Sequence, residues 1–146
     1  MSPLNPEGIL LTNPQFLLKC RRISEEKNMP RKRRILIVDS DLSLHETWKV
    51  EMGNRFHVES ALSLEDAQIA LDEKPTFALI AVESFQDGKS LNAVPFIQRI
   101  RQTFRKPIIG IAPDYPRQLQ MIQAGCTVFA ERRNLPDRIF EALALL

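Results

Sequence analysis

Residues 35–41 read Ile35-Leu36-Ile37-Val38-Asp39-Ser40-Asp41. Four large apolar residues, three of them β-branched, run without interruption and stop at two carboxylates separated by one serine. A continuous apolar run of this length predicts a strand buried on both faces, as in a parallel sheet. The carboxylates then fall at its C-terminal edge, where open α/β sheets place their ligand sites.

Working outward, short apolar runs alternate with helical periodicity. A first helix is predicted over 42–52, with Leu44, Trp48 and Met52 on one face, Asp41 as its N-cap and Gly53-Asn54 closing it. A second strand follows at 56–59. The second helix opens on Ser63, with Asp66 three residues on, carries Ala67, Ile69, Ala70 and Leu71, and stops at Pro75. The third strand, 77–82, is continuously apolar and hence central. A polar loop over 83–90 contains the turn pair Asp87-Gly88.

Helix three is predicted over 91–104, with Ala93, Ile97, Ile100 and Phe104 inward. Strand four is predicted over 107–111, and helix four over 117–124, ending at Gly125. Strand five spans 126–130. A last helix begins near Pro136 and buries Ile139, Leu143 and Leu146. This (βα)5 succession, with right-handed crossovers, predicts a flavodoxin-like α/β sandwich with strand order 2-1-3-4-5. The domain is expected over 34–146, with no effector domain after it.

Residues 1–33 read as a basic extension. Residues 1–34 hold eight basic and three acidic side chains, against twelve and fifteen in the rest, so +5 precedes −3. Asn13-Pro14 could open a short helix with Phe16, Leu17, Cys20 and Ile23 on one face; a disordered tail and a start at Met29 are equally open readings. The cluster Arg31-Lys32-Arg33-Arg34 has no aromatic interleaving to stack on bases, which favours a solvated lead-in over nucleic-acid contact. No apolar stretch approaches the roughly 18 residues of a membrane span. Ile9-Leu10-Leu11 is too short for a signal peptide and follows no positive charge. Cys20 and Cys126 match no metal or redox spacing, and unpaired thiols suit a cytoplasmic setting.

In element order and spacing, residues 33–146 resemble the receiver domain of bacterial response regulators. The resemblance implies an acidic pair after strand one, a phospho-accepting aspartate ending strand three, a hydroxyl ending strand four, and a lysine followed by proline after strand five. It also implies Mg²⁺ bound by the acids, phosphoryl transfer from a histidine kinase, and an aromatic switch within strand five. The logic is sound: hard oxygens bind Mg²⁺, and the metal offsets the charge of phosphoryl transfer.

The chain departs from that pattern. Asp39 matches the first acid, but Ser40 stands where the metal-binding acid belongs. Counting from Pro75, the acceptor position falls on Ala81, with Glu83 two residues beyond. The hydroxyl position falls on Ala112. The lysine position, seven residues after Gly125, falls on Arg132, and Arg133 replaces the proline. Phe129 keeps the aromatic and is expected as a fixed core residue.

Two carboxylates about 4 Å apart repel by about 4 kcal/mol at an effective dielectric of 20. Ser40 and Ala81 remove most of that repulsion, and Arg132 is expected to reach Asp39 or Glu83 directly, as a salt bridge in place of Mg²⁺. Asp39 is a residual candidate metal ligand, as is Asp41 beside its capping role; Asp41 and Glu83 complete the pocket carboxylates. His45 and His57 have no Cys/His cluster near them in sequence.

The function expected from these residues is a non-enzymatic, stand-alone protein-interaction module. Its partner or second copy would meet the face of helix four, strand five and helix five, near Arg117, Gln118, Gln120, Arg132 and Arg138. The competing readings are a phosphorelay protein accepting on Glu83, and a DNA-contacting adaptor using the basic segment. Flavin or cobalamin binding lacks support, because no Gly-rich loop or Asp-x-His-x-x-Gly run is present.

Overall fold

The computed structural model describes residues 32–73 and 76–144. The elements are β1 (Arg33–Val38), α1 (Leu42–Met52), β2 (Phe56–Ala61), α2 (Leu64–Asp72), β3 (Phe77–Glu83), β4 (Gln86–Asp87), β5 (Ser90–Leu91), α3 (Ala93–Ile100), β6 (Ile108–Ile111), α4 (Tyr115–Ala124), β7 (Val128–Ala130) and α5 (Leu135–Ala144). A 3₁₀ turn, Arg132–Asn134, joins β7 to α5. Five parallel strands form one sheet in the order β2-β1-β3-β6-β7, the flavodoxin-like topology.

The alternation of β1 explains why its apolar run is unbroken. Leu36 and Val38 enter one core layer with Phe77, Ile80, Phe96, Ile97 and Met121. Ile35 and Ile37 enter the opposite layer with Trp48, Met52, Leu79, Ile109 and Ile139. Each strand residue therefore needs an apolar side chain whichever way it points.

Local signals set the helix starts. Asp41, Ser63 and Asp114 each accept a hydrogen bond from the backbone N–H three residues on, capping α1, α2 and α4. Gly125 ends α4 at φ +130°. Helix α3 is shorter than its periodicity suggests. Ser90-Leu91 pair with Gln86-Asp87 in a small hairpin, and the Arg101 guanidinium gathers the carbonyls of Phe104 and Lys106 at the other end. Before that hairpin Phe85 takes φ +49°, a region bulky residues rarely enter, while its side chain packs against the core.

Three expectations need correction. Phe129 is 40% exposed, because among the described residues β7 is an outer strand of the sheet. Gln118 is buried, since its amide donates to the Ala112 carbonyl at 3.1 Å. Arg33 and Arg34 belong to β1: Arg33 donates to the Leu143 carbonyl, and Arg34 pairs with Glu59 and lies over the Phe77 ring. Lys32 is exposed. Arg31, the helix suggested after Asn13-Pro14, Met29, Pro75 and Leu146 lie outside the described residues.

Candidate functional site

The C-terminal edge of the sheet brings four segments together. Ile37 pairs with Ala81 and Val38 with Val82, so the next residues, Asp39 and Glu83, stand level at the ends of β1 and β3. Glu83 pairs in turn with Ile111, and Ile111 with Ala130, which sets Ala112 and the Glu131–Arg132 turn beside them.

This register moves the expected acceptor position. The β1–β3 ladder shifts between Arg34 and Ile35, passing over Ala78. The extra residue carries β3 on to Glu83. Ala81 is fully buried in the layer of Ile37 and Ile109 and lies inside the strand, not in the pocket. The side chain that reaches the sheet edge is Glu83.

Arg132 spans both acids. Its Nε donates to Asp39 Oδ2 at 3.0 Å and its Nη2 to Asp39 Oδ1 at 2.8 Å, a two-pronged contact. Nη2 also lies 3.2 Å from Glu83 Oε1. The other Glu83 oxygen accepts from the Ser40 N–H and hydroxyl, both at 3.2 Å. Asp39 itself is wholly buried, and its Oδ1 takes a further bond from the Asp41 N–H at 2.9 Å. The hydrogen bonds to Asp39, aided by the charges of Asp39, Glu83 and Asp41, hold the Arg132 guanidinium above its ordinary pKa against a smaller effect of burial.

The remaining candidates are spread around this centre. Asp41 is committed to capping α1. Ala112 is buried under the pocket. A cavity of about 450 Å³ adjoins Glu83, lined by Ser84, Ala112, Arg117, Glu131 and Arg133 among others. Its arginines already hold acids: Arg117 meets Asp114 at 3.1 Å and Arg133 meets Glu131 at 2.7 Å. Gln120 is exposed, and Arg138 pairs with Glu141 at 3.0 Å.

Sequence reasoning missed His45. It is buried, with Nε2 2.7 Å from the Asp39 carbonyl and its ring edge-on to Trp48 at 5.5 Å. The signal was present: His45 precedes Trp48 by three residues and therefore shares its inward face. Exposed Tyr115, Leu119 and Phe129 on α4 and β7 also went unread as a set.

Fold and edge geometry define a class, the fold of response regulator receiver domains. Solved structures carry the likeness. A two-component response regulator from Clostridium difficile has a TM-score of 0.65 at 16% identity, covering 78% of this chain and 94% of that one. An orphan response regulator of H. pylori gives 0.65 at 20% identity, covering 78% and 99%. A CheY-like receiver domain protein from Methanospirillum hungatei gives 0.63 at 19%, covering 78% and 95%. At such identities the likeness is one of fold. No protein-family model matches the chain, and no curated protein does. Among the described residues no helix is long and apolar enough to cross a membrane.

Proposed function

We propose that this chain is a non-enzymatic signalling module of receiver fold that works in the cytoplasm by binding a protein partner, without phosphorylation. The observation carrying this reading is Arg132 bridging Asp39 and Glu83. A permanent carboxylate at the end of β3 and a permanent cation across it reproduce, with side chains alone, an anion held at the sheet edge. The pocket acids do not fit Mg²⁺: Asp39 accepts three hydrogen bonds, Glu83 is taken by Ser40 and Arg132, and Asp41 caps a helix. Magnesium needs near-octahedral oxygen ligation, and the guanidinium stands between the two acids that would supply it. The partner surface, or a homodimer contact, is assigned to α4, β7 and α5. Exposed Tyr115, Leu119 and Phe129, with Gln120, support that choice. The engagement of Arg33 and Arg34 within the domain weakens the nucleic-acid reading.

The placement of Glu83 level with Asp39 favours a second reading, phosphoryl transfer to Glu83. Incubation with acetyl phosphate and Mg²⁺, read by intact mass, separates the two. The locked module stays at its unmodified mass, and millimolar Mg²⁺ leaves the fluorescence of buried Trp48 unchanged. A gain of one phosphoryl group that Glu83→Gln abolishes would establish the relay instead.

A further inference from the structure

We propose that His45 is the positioning residue of the Asp39–Arg132 lock. This deepens the locked-module reading and rests on it. The ring is buried within α1, and its Nε2 lies 2.7 Å from the Asp39 backbone carbonyl. A carbonyl only accepts, so Nε2 carries the hydrogen and donates. The same ring packs edge-on against Trp48 at an interplanar angle of 87°, which limits its rotation. Nδ1 is buried with no hydrogen-bond partner. Such an orphan is costly and calls for a compensating role; that role is the bond to Asp39.

That bond acts on the turn that aims the carboxylate. The Asp39 N–H donates to the Ala61 carbonyl at 3.0 Å, tying the residue to β2. Its carbonyl is tied to α1 by His45. Its carboxylate then receives the Asp41 N–H and both prongs of Arg132. His45 also donates its own backbone N–H to the Asp41 carbonyl at 3.3 Å, so one residue grips both ends of the Asp39–Asp41 turn. Without the imidazole, the Asp39 carbonyl is left buried and unsatisfied, and the turn gains freedom at the atom that sets the fork.

The test is nitrogen-resolved NMR on the full chain. In the unsubstituted protein the His45 ring gives a pyrrole-type Nε2 and a pyridine-type Nδ1; the reversed tautomer overturns the proposal. The Arg132 Nε–H reads the lock through its hydrogen exchange. If that proton is unprotected in the unsubstituted protein, the locked pocket itself fails, and His45 has nothing to position. If it is protected, His45→Phe accelerates its exchange about tenfold, the expected cost of losing one buried hydrogen bond. His45→Gln, whose amide nitrogen reaches the place of Nε2, restores protection. His45→Asn, which reaches only the place of Nδ1, does not. Unchanged exchange in folded His45→Phe overturns the proposal. Should that variant fail to fold, equal exchange in the Gln and Asn variants does so.

Discussion

At the scale of single residues, the centre of the molecule is a carboxylate that water does not reach. Asp39 is 0% exposed, while Arg132 is 41% exposed. Burying a charge is tolerable only when it is paired and hydrogen-bonded. Arg132→Ala leaves Asp39 with one backbone donor and no counter-charge. The expected loss is about 2–3 kcal/mol, at or below the range for fully enclosed pairs because solvent reaches the guanidinium side. Arg132→Lys keeps the charge but not the fork, and about 1 kcal/mol is expected to go. Asp39→Asn with Arg132→Met removes both charges together, so its loss falls short of the sum of the single changes by about 1–2 kcal/mol. Urea unfolding followed by Trp48 fluorescence measures each. An Arg132→Ala midpoint equal to that of the parent would show that the pair contributes nothing.

At the scale of elements, β6 and α4 meet at a point where only glycine fits. A Cβ on Gly110 would lie 2.8 Å from the Met121 Cβ and 3.1 Å from the Cys126 Sγ, and the first of these is too rigid to yield. Gly110→Ala is therefore expected to cost about 1–3 kcal/mol by overpacking. Ser63→Ala, which removes only the cap on α2, is expected to cost about 1 kcal/mol. Thermal unfolding of the two variants should keep that order; a neutral Gly110→Ala would mean α4 can lift away from the sheet. Elements of this kind were legible in sequence wherever one signal dominated. The range of α1 follows from Asp41, Gly53 and the Leu44–Trp48–Met52 face. The strand order follows from the unbroken apolar runs of β1 and β3. What was not legible depended on neighbours remote in sequence. The register shift at Ala78 cannot be counted from Pro75, yet it sets Glu83 rather than Val82 level with Asp39 and leaves Ala81 two residues short of the sheet edge. The exposure of Phe129 depends on β7 being an outer strand among the described residues; the burial of Gln118 is by contrast local, set by the carbonyl of Ala112 six residues back.

At the scale of the whole molecule, the sheet separates two apolar layers, and each holds a natural reporter. Trp48 sits in the layer under α1 and α5; Cys126 sits in the layer under α2, α3 and α4. If the domain unfolds as one unit, Trp48 emission and Cys126 reactivity toward a thiol reagent lose their native values at the same urea concentration. The thiol also links stability to pH. Burial pushes the Cys126 pKa up from 9.0 to about 12, with the nearby Arg101 charge opposing weakly. In the unfolded chain the same thiol ionises near 9, so between pH 9 and 12 the unfolded state binds fewer protons than the folded one. Stability is then lost as pH rises through that window, and this contribution is fully present below it. Other groups also change charge at alkaline pH, so the effect is read as a difference against Cys126→Ala. That variant starts less stable because it vacates volume beside Gly110 and Met121, but its stability should fall less steeply above pH 9. Parallel curves for the two proteins from pH 8 to 11 would mean that the thiol ionises within the folded state and that the layer beneath α4 admits water.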